Sequence, residues 1–256
     1  MTQDERLDFL LRYLLAERKE YETIPVPDSL AEKRRLLRGL MNVRPPIPVS
    51  ETFLRVQDAY LKERLAERGV TRLKDLTPVR PGLYLRQGDI TTLAVDAIVN
   101  AANSRMLGCF VPCHSCIDNA IHTYAGVQLR LACAAAMRQQ GQEEATGHAK
   151  ITKAYNLPCR FVLHTVGPII CGSVTKADRE LLASCYRSCL DLAAETGLHS
   201  VAFCCISTGE FHFPNELAAQ IAIQTVSEWQ RNHPDQIEVI FNVFKDSDYA
   251  IYRRLL

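Results

Sequence analysis

The sequence lacks an excess of charge of either sign. Lys and Arg number 30 against 29 Asp and Glu in 256 residues, a net charge of +1. Proteins organised around nucleic acid usually carry a strong basic excess, so no nucleic-acid partner is expected. Also missing is any run of about 18 apolar residues, which excludes an ordinary transmembrane helix. The opening stretch MTQDERLDFL has no basic-then-apolar signal pattern. A soluble, cytoplasmic protein is therefore expected. No internal repeat or low-complexity tract is present.

What is there is unevenly spread. Hydrophobic content of 47% and charged content of 23% are ordinary for a protein with a packed core. Residues 1–75 hold 15 Lys/Arg and 13 Asp/Glu, whereas the remaining 181 residues hold 15 and 16. All 10 Cys lie in the second region, between Cys109 and Cys205, and a reducing cytosol offers them no disulfide role. The chain reads as an extension over 1–75 followed by a larger domain over 76–256.

The extension reads as helical. Leu7, Leu10, Leu11 and Leu14 recur at the i, i+3, i+4, i+7 spacing of one apolar face, with Asp4 as the expected cap. A second helix is expected over Ser29–Met41, with Leu30, Leu36, Leu37 and Leu40 inward, before Arg44-Pro45-Pro46-Ile47-Pro48 breaks it. A third is expected from about Ser50 to Arg68, presenting Leu54, Leu61 and Leu65 and stopped by Gly69. Nothing here has catalytic spacing. The extension reads either as a small bundle docked on the main domain or as a partner-recognition arm.

The second region alternates. Strands are expected at Gly82–Arg86, Asp96–Asn100, Ala149–Tyr155, Phe161–Thr165, Val201–Cys205 and Ile237–Phe241. Helices are expected from Asp118 to about Met137, over Lys176–Glu195 and Asn215–Asn232, and near Asp246–Arg254. Such alternation predicts a largely parallel sheet covered on both faces, with ligands on the loops beyond the strands' carboxyl ends.

Those loops carry the chemistry. Gln87-Gly88-Asp89-Ile90-Thr91 offers a turn and one carboxylate, although Asp after Gly also serves plain turn chemistry. Ala101-Ala102-Asn103 allows close backbone approach and ends in an amide that both donates and accepts. The stretch from Gly108 to Asp118 is more specific, with Cys109, Cys113, His114 and Cys116 inside eight residues. Thiolate and imidazole are the ligands zinc prefers, and an intracellular Cys/His cluster reads as a metal site; the alternative is small buried cysteines and one satisfied histidine. His114 and Cys116, at alternate positions, can share a side that Cys109 folds back onto. These three are the expected ligands of one zinc ion, with Cys113 spare. Three protein ligands leave a position open, the mark of a catalytic zinc. Asp118 either caps the helix that follows or orients a water or substrate hydroxyl. His122, four residues on, is read as packing. Ile206-Ser207-Thr208-Gly209-Glu210-Phe211-His212-Phe213-Pro214 offers hydroxyls and backbone N–H groups before a helix, a phosphate cradle that lacks the Walker A ending. Cys133, Cys159, Cys171, Cys185, Cys189, Cys204 and Cys205 show no ligand spacing and read as small buried residues.

Together these loops resemble the macrodomain family, which binds ADP-ribose. The resemblance spans roughly residues 80–256. It rests on Gly88-Asp89-Ile90, the block from Val95 to Asn103, Thr146-Gly147-His148-Ala149-Lys150-Ile151-Thr152, His164-Thr165-Val166-Gly167-Pro168 and Ile206-Ser207-Thr208-Gly209. Where most macrodomains carry a glycine run, this chain has its Cys/His cluster before Ile117-Asp118. That departure resembles the zinc-dependent macrodomains, protein-ADP-ribose hydrolases that also carry a helical N-terminal extension. His212, where many relatives have Gly, is a second departure. The resemblance implies a three-layer α/β/α sandwich with a mixed, largely parallel sheet. By the same likeness, Asp89 would hold the adenine amino group, Ile90 would offer its backbone N–H and Asn103 would contact the distal ribose, close to catalysis. Ser207, Thr208, Gly209, Glu210 and Phe211 would wrap diphosphate and ribose, while Cys116, Ile117 and Asp118 would line the scissile bond. The resemblance further implies removal of mono-ADP-ribose from protein, with a lipoyl-carrier protein and a sirtuin-like ADP-ribosyltransferase as partners. Two rivals stand beside this: a non-catalytic ADP-ribose reader with a structural zinc, and a structural zinc module whose helical arm docks a partner.

Overall fold

The computed structural model describes residues 1–256. Three helices open it: α1 (Gln3–Leu15), α2 (Leu30–Val43) and α3 (Glu51–Arg68). Leu7, Leu10, Leu11 and Leu14 are all buried along α1, as the heptad-like spacing requires. The cap is Thr2 rather than Asp4. The Thr2 hydroxyl accepts from the Glu5 N–H while the Glu5 carboxylate accepts from the Thr2 N–H, a reciprocal box that leaves Asp4 in the first turn. In α2, Leu37 and Leu40 are buried, but Leu30 sits at the solvent end of the helix, 42% exposed. In α3 the buried face runs through Phe53, Val56, Tyr60 and Leu61 rather than Leu54 and Leu65, because the aromatics bury more surface than the leucines. Gly69 ends α3 at φ 80, a left-handed value that favours glycine.

A seven-stranded sheet follows. Its strands are β2 (Pro78–Arg80), β3 (Leu83–Gln87), β5 (Ala97–Ala102), β6 (Ala149–Lys153), β7 (Phe161–Val166), β8 (Ser200–Phe203) and β9 (Glu238–Val243), in spatial order β2-β3-β9-β8-β5-β7-β6. The five central strands are parallel, and the two edge strands pair antiparallel with their neighbours. Ala97, Ile98, Val99 and Asn100 are buried in succession, the pattern of a strand covered on both faces. Two short strands, β1 (Thr71–Arg72) and β4 (Leu93–Ala94), form a separate parallel pair between the extension and the first crevice loop. Neither pair of residues carries enough periodicity to be read in advance.

Helices α4 (Ile117–Ala125), α5 (Val127–Gln140), α6 (Lys176–Glu195), α7 (Asn215–Asn232) and α8 (Asp246–Leu255) cover the sheet. The single helix expected over 118–137 is two. Gly126 at φ 92 breaks it, and a Cβ there would lie 2.6 Å from the Gln57 amide of α3, so glycine permits both the break and the close approach.

Two apolar clusters result. The larger holds 44 buried residues around the sheet, and the smaller holds 12, all from the extension except Val127. Between them the seam is polar. Arg130 of α5 donates to the carbonyls of Met41 and Asn42, Gln57 accepts from the Val127 N–H, and Asp58 accepts from Gln128 and Asn156.

Candidate active site

The crevice lies beyond the carboxyl ends of β3, β5 and β8. After β3, Asp89 caps a short 3-10 turn: its Oδ1 accepts from the Thr91 N–H at 2.9 Å and the Thr91 hydroxyl at 2.6 Å. Its Oδ2 accepts from Arg68 Nη1 at 2.8 Å. Arg68 comes from the last turn of α3 and stacks on Tyr124, 3.6 Å from the ring centroid. Asp89 is therefore a turn residue and a carboxylate held in place by the extension. The Ile90 side chain is buried beside it.

After β5, Asn103 braces its own loop. Its Oδ1 accepts from the Arg105 N–H at 3.1 Å and its Nδ2 donates to the Gly108 carbonyl at 3.2 Å. Gly108, at φ 80, lies against His122; a Cβ there would come within 2.8 Å of the imidazole. The chain then enters the Cys/His stretch.

The structure brings Cys109, His114 and Cys116 together, their ligand atoms all within 4.8 Å of one another. Cys113 lies apart: its thiol donates to the Arg35 carbonyl at 3.3 Å and its N–H to Asn42 Oδ1 at 2.9 Å. The backbone explains the separation, since Cys113 adopts φ 55 and turns the chain sharply before His114. Cys116 is the cap of α4, its sulfur accepting from the Asn119 N–H. Burial pushes its thiol up to about 12, and the neighbouring Cys109 and Asp118 add to the shift. A thiol buried this close to another and to a carboxyl resists ionising unless a cation compensates it. His114 Nδ1 is buried with no hydrogen-bond partner. An orphaned imidazole nitrogen beside two thiols fits a soft divalent ion such as zinc.

Asp118 is buried two residues beyond Cys116, in the first turn of α4 rather than at its cap. Its Oδ1 accepts from Asn100 Nδ2 at 2.8 Å, and His122 Nε2 lies 3.5 Å away. Burial raises its carboxyl to about 6, opposed by the Asn100 hydrogen bond and the Arg130 charge. Ile117, between Cys116 and Asp118, packs partly against the larger core.

The loop after β8 closes the crevice. Ser207 adopts φ 64, and its hydroxyl is buried without a partner. Its carbonyl accepts from the Phe213 N–H at 3.0 Å, and the Thr208 hydroxyl donates to the Cys205 carbonyl at 3.0 Å. Gly167 lies so close that a Cβ there would overlap the Ser207 hydroxyl. His212 takes φ 56, so the loop keeps a left-handed residue where glycine would sit without strain. Pro214 enters α7 with no side-chain cap, which leaves N–H groups free for an anion. Gly209 and Glu210 are exposed and Phe211 is half-buried. Glu210 Oε1 lies 3.5 Å from His114 Nε2, so this loop meets the Cys/His cluster.

Residues 99–222 match the Macro domain family model. A protein-ADP-ribose hydrolase of Treponema medium is 56% identical over 260 aligned positions, covering 100% of both chains. Another from Staphylococcus aureus strain MRSA252 is 50% identical, covering 97% of this chain and 94% of its own length. The chain belongs to the protein-ADP-ribose hydrolase family of macrodomains. A Trypanosoma brucei macrodomain solved in complex with ADP-ribose superposes on this macrodomain with TM-score 0.66 at 31% identity, covering 90% of this chain and 96% of that one.

Several residues of this macrodomain site escape sequence reasoning. Asn100 holds Asp118 from the middle of an apolar strand. Arg38 and Asn42 reach the Cys/His loop from α2, and Arg68 reaches Asp89 from α3; no local spacing announces a partner 21 to 81 positions away. Phe244, one residue beyond β9, is 74% exposed, and no sequence pattern marks a phenylalanine there as open. Cys171 is exposed rather than buried, because it lies in the turn before α6 instead of on a packed face.

Proposed function

We propose that this chain removes mono-ADP-ribose from a modified protein side chain with one zinc ion held by Cys109, His114 and Cys116. It is an ADP-ribosyl-protein hydrolase, as its full-length relatives are named. That membership weighs against the non-catalytic reader. The observation that carries the zinc reading is the convergence of two thiols and a partnerless imidazole within 4.8 Å, at the start of the helix that carries the buried Asp118.

The bond to be broken joins C1″ of the distal ribose to the acceptor, and positive charge develops on the sugar as it breaks. When bound, zinc would supply Lewis acidity toward a ribose hydroxyl or water. Asp118 orients the attacking water and receives its proton at Oδ2, the oxygen not occupied by Asn100. Ser207 through Phe211 hold the diphosphate and distal ribose, drawing on the unpartnered Ser207 hydroxyl and the uncapped start of α7. Asn103 contacts the same ribose. Asp89 receives the adenine amino group, Ile90 offers its N–H, and Phe244 supplies a flat apolar surface for the base. Residues 1–75 serve as the extension of the catalytic domain over 76–256. Family resemblance supports a cytoplasmic setting and, as substrate, a lipoyl carrier modified by a sirtuin-like transferase.

The test is metal removal. Chelated protein should lose hydrolysis of a mono-ADP-ribosylated protein and regain it with added zinc; full-rate hydrolysis by metal-free protein would end the zinc reading.

A further inference from the structure

The Cys/His loop does not hold its shape alone. Asn119, fully buried on the first turn of α4, touches it twice: its N–H donates to Cys116 Sγ at 3.4 Å and its Nδ2 donates to the Val111 carbonyl at 3.0 Å. The Asn119 Oδ1 accepts from Arg38 Nη2 at 2.8 Å and Arg38 Nε at 3.2 Å. The same Nη2 donates to the His114 carbonyl at 2.8 Å. One guanidinium on α2 thus ties the backbone of one ligand to the amide that fixes another. Four residues along α2, Asn42 Oδ1 accepts from the Cys113 N–H at 2.9 Å, and Asn42 Nδ2 donates to the Thr123 hydroxyl at 2.9 Å. Gly39, on the same helix, faces the loop at ordinary contact distance: a Cβ there would sit 3.8 Å from Cys113 Sγ and the Pro112 side chain.

From this geometry we infer that Arg38 is a positioning residue for the metal site, so that α2 of the extension presets the Cys/His loop before any ion binds. The inference rests on the zinc reading above. The physical reason is preorganisation. The eight residues from Cys109 to Cys116 would otherwise sample many conformations, and ordering them would cost affinity. A fork of fixed N–H groups is suited to bridging two acceptors at once, which a lysine ammonium on a flexible stem does less well. Groups one shell out from a metal commonly change its affinity about 10- to 100-fold when removed. Nothing about the extension's own leucine core requires Arg38, since the guanidinium points away from it into the macrodomain.

The experiment uses the full chain purified with zinc. Release of zinc to a chromogenic chelator is timed for wild type, Arg38→Ala, Arg38→Lys and Arg35→Ala. Far-UV circular dichroism and melting of the metal-free proteins report folding, and the visible spectrum of the cobalt-substituted proteins reports ligand geometry. Arg35 is exposed and offers the loop only its backbone carbonyl, so Arg35→Ala keeps that contact. We expect Arg38→Ala to release zinc roughly 10- to 100-fold faster, with altered cobalt bands. Arg38→Lys should fall between Arg38→Ala and wild type, and Arg35→Ala should match wild type. Should Arg38→Ala fail to fold, the folded Arg38→Lys decides by its release rate and spectrum. Wild-type release and an unchanged cobalt spectrum in the Arg38 variants would overturn the role of Arg38 alone. Wild-type protein that binds no zinc would overturn the zinc reading together with it.

Discussion

Two clusters of the same side-chain types lie close together in this macrodomain, and they differ in how far solvent reaches them. Cys109, His114 and Cys116 form one; His122, Cys133 and His164 form the other, and in each the ligand atoms lie within 4.8 Å. The second cluster is sealed in the core. His164 Nδ1 faces Asn100 Nδ2 at 3.2 Å, and its Nε2 faces the Thr152 hydroxyl at 2.9 Å and Cys133 Sγ at 3.8 Å, so both of its ring nitrogens have partners, whereas those of His122 have none. Burial pushes the Cys133 thiol up to about 12 and His164 down to about 4. The first cluster is half-buried, opens toward the loop that carries Glu210, and keeps an imidazole nitrogen without a partner. Residue type, proximity and unpartnered imidazole nitrogens are shared; a way in from solvent is not. The partly buried cluster is the zinc site on this account, and the sealed one is a polar core element that supports Asp118 through Asn100.

The largest expected effect separates the two directly. Cys116→Ala should remove zinc and lower hydrolysis by at least about a hundredfold, since both ligand and Lewis acid go. If that variant keeps its zinc, the two clusters have been assigned the wrong way round. Next in size is Asp118→Asn, which should keep zinc yet lower kcat by roughly 10²- to 10⁴-fold, the usual worth of a proton-transferring group. An unchanged kcat in the asparagine variant would return Asp118 to the role of a buried structural carboxyl.

The parallel strands were legible because Ala97–Asn100 and Phe161–Thr165 are nearly continuous apolar runs, which only a sheet covered on both faces accommodates. The Cys/His loop was legible because its ligands sit within one short stretch. The sealed cluster was not, since His122, Cys133 and His164 come from two helices and a strand, joined only by tertiary packing. The same holds for the polar seam, where Asn42 meets Thr123 across 81 positions. The break at Gly126 was hidden because α4 and α5 together read as one amphipathic run, and only the approach of Gln57 shows why glycine is needed there.

A third effect probes the sealed cluster through pH. His164 has its pKa lowered from 6.5 to about 4 by burial, so the unfolded chain takes up the proton first. Stability from keeping it neutral is fully present above about 6.5 and is lost as pH falls toward 4, on the order of 3 kcal/mol in all. His122 is lowered in the same direction, whereas Asp118, raised to about 6, works the opposite way. The comparison that isolates His164 is therefore denaturant unfolding of wild type and His164→Gln at matched pH between 4 and 7. The wild-type curve should fall more steeply toward acid, and parallel curves would show that His164 is not held neutral. Smallest of all, Cys133→Ala should cost about 1–2 kcal/mol of stability, the loss of one buried sulfur, while hydrolysis of the folded variant stays at the wild-type rate. A loss of activity there would make the sealed cluster part of the chemistry.

The most direct measurement of the central claim is the metal content of purified wild type, Cys116→Ala and Cys133→Ala, each assayed for release of ADP-ribose from the same modified protein. The account predicts one zinc per chain in wild type and in Cys133→Ala, with hydrolysis in both, and neither zinc nor hydrolysis in Cys116→Ala. Zinc retained by Cys116→Ala, zinc lost from Cys133→Ala, or full hydrolysis by a zinc-free wild type would contradict it.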